Sequence, residues 1–363
     1  MPLPDWAWCI ATYNRHDMLV RSCALALQQT IPPSEIIITD ASADWERGRD
    51  RIERLLAVAA EAHGVRPRLS YAKASKASAA AQRNESIARA NADVVFVFDD
   101  DTLMFPDTAE KIIEVYSRDS EGVVQAVTAA NVPQPPRAPD WLEAVVETEP
   151  ETSDRGAPEG VDLQPAQKRS TGPLAEMLRR FLRAKDRFVP YDPNRRKHDV
   201  PASLQGLGLR SWRLAAGFHL TVRREAALCE PFEERLKGYS PGEDSDMTYR
   251  LTRHGPILHR PDARIHHAEA PGSRFGVFRR VALGATNSLL LQRVHSTDRA
   301  FSERESRALL RRLLIIEFMK DLKALDWRLP RTRATAYALR NVKKIMTVED
   351  EKIDEYFEYY QSL

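Results

Sequence analysis

The stretch ADVVFVFDDDTL, residues 92–103, decides the fold and the chemistry predicted for this chain. An apolar run rich in β-branched and aromatic residues is typical of a buried strand, yet this run ends in three aspartates. Strand alternation places Asp99 and Asp101 on one side and Asp100 on the other. Two carboxylates held so close repel each other, so one would take up a proton unless a cation neutralised them. Oxygen ligands favour a hard divalent ion, Mg²⁺ or Mn²⁺, and a solvated, turn-forming acidic cluster is the alternative.

Strand-like and helical segments alternate through the first 130 residues. The helical segments carry apolar residues at helical spacing, and they separate strand-like runs that read WAWCIAT, EIIITD, RLSYAK, DVVFVFD and GVVQAVTAA. This βαβα order predicts an α/β fold with a mostly parallel, Rossmann-like central sheet and helices on both faces. Such sheets bind ligands at the C-terminal ends of their strands, which favours the cation site over the solvated cluster.

Composition bounds the class of protein. The chain has 363 residues, is 43% hydrophobic and 29% charged, and is typical of a soluble globular protein with a full core. A net charge of +2 gives no reason to expect nucleic acid as a partner. Three separated cysteines, Cys9, Cys23 and Cys229, favour a reducing compartment. No signal peptide and no membrane-spanning segment is expected, so we predict a cytoplasmic protein.

The middle and the end of the chain differ from its first part. From Asn131 the sequence is rich in proline and acid with little periodicity, which predicts a long loop or a partly disordered insertion. Regular patterning resumes near Trp212 and predicts a helix over PGEDSDMTYRLTRHG, then two short strands, PILHR and ARIHH. Beyond Pro271 the pattern is helical to the end.

Three further stretches carry polar residues where chemistry could occur. In IATYNRHD the first strand ends without the glycines of a dinucleotide-binding loop, and Asn14 could simply cap the next helix. In PGEDSDMTYRL the acids fall in the first turn of a helix, where the macrodipole alone favours them, and Asp246 could pair with Arg250. In ARIHH, alternation sends the neighbouring His266 and His267 to opposite faces, so at most one serves a site.

Taken together, these stretches resemble the family 2 glycosyltransferases with the GT-A fold, of the type that builds bacterial polysaccharides and glycans. The resemblance runs from about Trp6 to Ala270, and its most specific parts are the QRN-to-DDD segment and the GED stretch. The stretches that carry it are CIATYNRHDML, EIIITDASAD, AAAQRNESIARANADVVFVFDDD, PGEDSDMTYRL and PDARIHH.

The resemblance implies a domain plan. A GT-A domain would span residues 1–270, with a nucleotide-binding half over 1–130, an insertion or acceptor loop over 131–200, and an acceptor and base half over 201–270. Residues 271–363 would form a C-terminal helical extension. The sequence DASAD, residues 40–44, departs from the family in lacking a glycine after the second strand.

The resemblance also implies roles for individual residues. Asp99, Asp101 and His267 would hold Mn²⁺ or Mg²⁺ on the diphosphate of a nucleotide-sugar donor, and Asp100 would lie near the ribose or the diphosphate. Asp244 would be the general base, with Glu243 beside it. The remaining donor-binding positions match the family at Thr12, Asn14, Arg15, Asp40 (on the base), Lys76 and Arg83 (on the leaving diphosphate).

The activity implied is an inverting transfer of a sugar from a nucleotide-sugar to a hydroxyl of a saccharide or lipid-linked acceptor. A catalytically inactive sugar-binding or scaffold protein with the same fold is the alternative. A phosphotransferase of the haloacid-dehalogenase type is less favoured, because its motif needs threonine where Leu103 stands. Trp141, Trp212 and Phe218 could stack on sugar or lipid, although aromatic residues more often belong to the core. The sequence predicts neither the sugar nor the oligomeric state.

The C-terminal portion is strongly basic. Between Arg274 and Arg312 nine arginines stand against three acids. A basic, partly amphipathic helical region could rest peripherally on an anionic membrane, at the inner membrane face. The alternative, which we favour here, is a packed helical extension with a solvated arginine face.

Overall fold

The computed structural model of the protein describes residues 3–142, 188–195, 198–238, 241–269 and 276–363. The predicted insertion over 131–200 therefore lies largely outside the described residues, which omit 143–187. The domain boundaries given above stay predictions.

One nine-stranded sheet organises the described residues, in the order β3-β2-β1-β4-β8-β6-β9-β5, with β7 pairing on β9. Six strands run in the same direction, because β1 to β4 are parallel and two antiparallel steps through β8 bring β6 and β9 back to that direction. The prediction of a mostly parallel sheet is confirmed. The strands are β1 (Trp6–Thr12), β2 (Glu35–Asp40), β3 (Arg68–Lys73), β4 (Val94–Phe96), β5 (Thr102–Met104), β6 (Ala126–Asn131), β7 (Arg210–Trp212), β8 (Leu220–Arg223) and β9 (Ile257–His267).

Helices cover both faces of this sheet and form the C-terminal region. Short 3₁₀ turns occur at Ala202–Leu204, Gly217–His219 and Asp350–Lys352. The α-helices of the described residues are α1 (His16–Leu27), α2 (Trp45–His63), α3 (Ala79–Arg89), α4 (Thr108–Arg118), α5 (Arg224–Cys229), α6 (Glu243–Leu251), α7 (Val277–His295), α8 (Arg299–Lys323), α9 (Pro330–Met346) and α10 (Ile353–Gln361).

Alternation along β1 divides the core between the two faces. Trp6 and Trp8 pack with the apolar residues of α1, α2 and α4 on one face, whereas Ala7 and Cys9 pack with α3 and α6 on the other. A third core joins the C-terminal helices to Tyr249 of α6. The helix that carries Asp244 is thus held between the sheet and the C-terminal region.

Two strand predictions were wrong in their ends. The predicted strand DVVFVFD stops at Phe96, and the aspartates lie in a turn in which the Thr102 amide donates to the Asp99 carbonyl at 3.0 Å. The predicted strands PILHR and ARIHH are one continuous strand, β9. Its register against β6 jumps from Arg260 to Arg264 because Pro261, which has no N–H to donate, lies in a bulge.

The corner after β2 closes without the missing glycine. The Asp40 carboxylate accepts hydrogen bonds from the Ser42 amide at 2.7 Å and from the Tyr71 hydroxyl at 2.6 Å, and it lies 2.9 Å from His16 Nε2. Burial would raise the pKa of Asp40, but the hydrogen bonds from His16, Ser42 and Tyr71 outweigh it and lower that pKa. Gly48 of α2 packs directly against this network.

Replacing Gly48 by alanine is expected to lower the free energy of unfolding by about 1–3 kcal/mol, the usual cost of overpacking. The new Cβ would lie 2.2 Å from the Tyr71 hydroxyl and 2.7 Å from His16 Nε2, so it would break bonds to Asp40. Urea titration measures the change. Gly284→Ala is the matched control, because its nearest neighbour would be Pro241 at 3.7 Å and alanine favours a helix. Equal stability of the two variants would contradict this account of the corner.

Candidate active site

The ends of β4 and β9 bring three metal-ligand side chains together. Asp99, Asp101 and His267 place one potential ligand atom each within 4.8 Å of the others. The contact arises because β5 pairs with the end of β9, so that Thr102 lies opposite His267, and His267 Nε2 comes to 3.1 Å from Asp101 Oδ1. Two carboxylates and one imidazole form a donor set that suits Mn²⁺ or Mg²⁺.

Phe218 fixes the orientation of the His267 ring. The two rings stack at 4.4 Å with planes only 2° apart, and the His267 amide donates to Asn131 Oδ1 at 3.0 Å. Burial would lower the pKa of His267, but the hydrogen bond and charge of Asp101, with Asp99, outweigh it and raise that pKa. His266 points elsewhere, with Nδ1 2.9 Å from the Val132 carbonyl, as strand alternation predicts.

Asp100 faces the end of β1. Its carboxylate accepts hydrogen bonds from Thr12 Oγ1 at 2.7 Å and from Arg15 at 3.0 Å, and the same Arg15 nitrogen lies 3.3 Å from Asp101. Burial raises the pKa of Asp100 to about 7; Arg15 opposes this shift and Asp101 adds to it. Thr12, Arg15 and the three aspartates therefore form one polar cluster at the carboxyl edge of the sheet.

Arg83 joins this cluster to the helix α6. The Arg83 side chain is only 6% exposed, and its guanidinium lies 2.7 Å from Asp99, 2.8 Å from Asp244 and 3.3 Å from Glu243. Burial would lower the pKa of Arg83, but the carboxylates of Asp244, Asp99 and Glu243 outweigh it and raise that pKa. One cation thus balances acids from two distant parts of the chain.

Gly217 completes the setting of Asp244, and nothing in the sequence singled it out. Its amide donates to Asp244 Oδ2 at 2.7 Å. A Cβ on Gly217 would lie 2.5 Å from Arg83 Nη2 and 3.0 Å from Asp244 Oδ1, so no side chain fits there. A lone glycine before an aromatic residue has no sequence signature of such a contact.

Other predicted site residues have different surroundings. Asn14 is exposed with φ 52°, and α1 begins at His16 without a side-chain cap, so capping by Asn14 is not observed. Asp40 is fully buried and its carboxylate is occupied by the hydrogen bonds described above. Lys76 is exposed and lies 3.6 Å from Glu234. The structure therefore brings neither Asp40 nor Lys76 into contact with the aspartate cluster.

The predicted pair between Asp246 and Arg250 forms, and it anchors α6. Arg250 lies 2.8 Å from the fully buried Asp246, whose other oxygen accepts from the Tyr191 hydroxyl at 2.8 Å. Of the three aromatic residues considered for stacking, Phe218 holds His267 and Trp212 stacks on His259 at 4.7 Å. The Trp141 ring lies 5.9 Å from the His63 ring.

Comparison with known proteins identifies the first part of the chain. Residues 7–159 match the model of glycosyl transferase family 2. Residues 7–159 are therefore similar to a family 2 glycosyltransferase domain. No curated protein sequence is significantly similar to it. The resemblance stated from the sequence and the prediction of a glycosyltransferase are thus confirmed at the level of the family.

A solved structure with a bound nucleotide-sugar shares the fold of this chain. S. aureus TarS, residues 1–349 in complex with UDP-GlcNAc, has a TM-score of 0.53 at 12% identity, over 99% of this chain and 87% of that chain. The mannosyltransferase PcManGT from Pyrobaculum calidifontis, in complex with GDP-Man and Mn²⁺, has a TM-score of 0.47 at 13% identity, over 100% and 87%. The predicted GT-A fold is confirmed by the likeness to TarS.

The buried Glu243 predicts a pH-dependent stability of the glycosyltransferase. Burial and the neighbouring Asp244 raise the pKa of Glu243 from 4.5 to about 8, against the lowering effect of Arg83. Between these values the folded protein keeps a proton that the unfolded chain releases, so stability falls as pH rises through this window. We expect Glu243→Gln to remove that decline, so its melting temperature should rise relative to wild type between about pH 5 and pH 8.

Melting curves in EDTA measure this difference, because a bound cation would itself change the titration. Glu225→Gln is the matched control, since Glu225 lies exposed in the first turn of α5. Its difference from wild type should stay constant with pH. A constant difference for Glu243→Gln as well would show that Glu243 keeps an ordinary pKa.

Proposed function

We propose that the protein is a metal-dependent, inverting glycosyltransferase that moves a sugar from a nucleotide-sugar to a hydroxyl of a saccharide or lipid-linked acceptor. One observation carries the proposal: Arg83 connects a metal-type cluster at the sheet edge to Asp244 at the start of α6. The donor class follows from the family, and TarS, which shares the fold, was solved in complex with UDP-GlcNAc. We propose that residues 271–363 form a separate helical region beside the GT-A domain.

Asp99, Asp101 and His267 are the residues that would hold Mn²⁺ or Mg²⁺. A divalent cation bound there supplies positive charge against the donor diphosphate. Phe218 stacks on the His267 imidazole, and Asn131 accepts a hydrogen bond from the His267 backbone amide. These two contacts orient His267, one of the three side chains that would hold the ion.

Asp244 is proposed as the general base. It lies in the first turn of α6, where the helix dipole favours the ionised carboxylate that proton abstraction requires. Arg83 and the Gly217 amide each bind one of its oxygens, and each oxygen keeps a second lone pair for an acceptor hydroxyl. As the acceptor oxygen attacks the anomeric carbon, Asp244 takes its proton and the diphosphate leaves from the opposite side.

Arg15 and Thr12 are proposed to organise the donor side. They bind Asp100 and keep it on the opposite side of the turn from Asp99. About a quarter of the Arg15 side chain is exposed, at 24%, so it can also reach a bound phosphate. No helix among the described residues is long and apolar enough to cross a bilayer, and we propose a cytoplasmic location.

Nucleotide binding separates the metal site from the base. We expect one of UDP, GDP or dTDP to raise the melting temperature only with Mn²⁺, because Asp99, Asp101 and His267 would hold the cation that supplies positive charge against the diphosphate. At a ligand concentration of about 100 times Kd the stabilisation is about 2.7 kcal/mol, a shift of several degrees. Asp101→Asn should lose the Mn²⁺-dependent part of the shift. Asp244→Asn should keep it while the release of diphosphate from the matching nucleotide-sugar falls by about 10²–10⁴-fold.

Glu225→Gln again serves as the control and should behave as wild type in both assays. If no nucleotide shifts the melting temperature with Mn²⁺, the protein is a GT-A scaffold without donor binding. If Asp244→Asn abolishes the nucleotide shift, Asp244 belongs to the donor site and is not the base.

A further inference from the structure

The far end of the C-terminal helices exposes a group of large apolar side chains. We call it the tip and define it as Ile315, Phe318 and Met319 of α8 with Leu325 and Trp327 of the α8–α9 loop. Their exposed fractions lie between 40% and 78%. They are five of the eleven exposed large apolar side chains among the described residues, although they span only thirteen positions. Such a concentration marks an interaction surface.

Near the tip, helix α8 exposes apolar side chains and buries acidic ones. Ile315, Phe318 and Met319 follow the i, i+3, i+4 spacing and share one outward face. Two buried positions in this part of α8 are acidic: Glu317 is 6% exposed and Asp321 is fully buried. A surface helix in water normally places its acids outward and its apolar residues inward. The exposed apolar side chains of this face are therefore not partly covered residues of the hydrophobic core.

The loop that carries Leu325 and Trp327 is held rigidly. The Asp321 carboxylate accepts hydrogen bonds from the Thr332 amide at 2.9 Å and from its hydroxyl at 2.8 Å, which ties the end of α8 to the start of α9. Leu325 and Leu329 both have φ 52°, a left-handed conformation that costs a leucine roughly 1–2 kcal/mol. The fold thus holds two strained leucines in a loop whose Leu325 and Trp327 face solvent.

The charges around the tip identify what it contacts. Residues 311–333 include seven basic and three acidic side chains, and two of the acids are the buried Glu317 and Asp321. Lys323, Arg328 and Arg333 are exposed beside the apolar group. Apolar side chains that include a tryptophan, surrounded by cations, match the boundary of a bilayer with anionic headgroups. We propose that the tip docks peripherally on an anionic lipid bilayer.

A series of contacts connects the base helix α6 to the start of α9, next to the tip. Helix α7 contacts the base helix through Asn287, whose amide donates to the Pro241 carbonyl at 2.9 Å, one residue before the N-cap of α6. From Asn287 back to Phe278 is nine residues, or about 13 Å of helix. There the Arg333 guanidinium of α9 lies 6.0 Å from the Phe278 ring, one turn after the loop of the tip.

Docking at the tip would therefore hold the enzyme, and with it the base helix α6, on a membrane. A lipid-linked acceptor would then lie in the membrane that holds the enzyme, a consequence that rests on the proposed function. The docking itself does not depend on that function.

Vesicle sedimentation of the full chain tests the proposal. We expect binding to vesicles of phosphatidylcholine with phosphatidylglycerol, little binding to phosphatidylcholine alone, and weakening by high salt. The double variant Leu325→Asn, Trp327→Ser should bind these vesicles at least about tenfold more weakly than the wild type. Its melting temperature should not fall, since asparagine tolerates the left-handed conformation better than leucine. Leu228→Ser, at a site 44% exposed elsewhere, is the matched control and should bind as wild type.

Three results would overturn the proposal: no binding to anionic vesicles, equal binding by the double variant, or a soluble dimer of the wild type that the double variant dissociates. The last result would assign the tip to a second copy of the chain. The Mn²⁺-dependent nucleotide shift is measured on the same double variant. Retention of that shift with loss of vesicle binding separates the tip from the donor site. If the wild type binds anionic vesicles but no nucleotide shifts its melting temperature with Mn²⁺, docking stands and the proposed function fails.

Discussion

The ion pairs of Arg83 are the constraint on which the site depends. The guanidinium lies within 3.3 Å of Asp99, Asp244 and Glu243, and almost none of it is exposed. Buried carboxylates repel one another and are costly to desolvate, so they can gather here only around a cation. Because Asp99 follows β4 and Asp244 begins α6, this one residue fixes the distance between the proposed metal site and the proposed base.

The rest of the fold supports these ion pairs from both sides. Because Gly217 has no side chain, Arg83 and Asp244 can approach each other beside it, and its amide orients the Asp244 carboxylate. On the far side of α6, Asp246 is held by Arg250 and Tyr191, which ties the helix to the C-terminal core. The C-terminal helices therefore help to position the base helix. Through the contacts of α7 they also connect this helix to the part of α9 next to the tip.

The sequence predicted well wherever a local pattern determines the structure. Strands β1, β2 and β3 have the predicted bounds, because each is a short strand-like run followed by a helical pattern. Prediction from the sequence failed where pairing with a distant strand determines the end of an element. Strand β4 ends at Phe96, and β9 continues through Pro261 because its pairing with β6 accommodates a bulge there. The GED and DDD stretches revealed the acids of the site, but only the fold shows that Arg83 joins them. Gly217 and the stacking of Phe218 on His267 depend on contacts that no local pattern encodes.

A double-mutant cycle between Arg83 and Asp244, read as melting temperature in EDTA, tests the central claim most directly. In the wild-type background Asp244→Asn removes a partner of a buried cation and should lower the melting temperature. In the Arg83→Gln background the same substitution removes one of several mutually repelling carboxylates and should raise it. This reversal of sign is the predicted result. An equal decrease in both backgrounds would show that Arg83 does not hold the two halves of the site together.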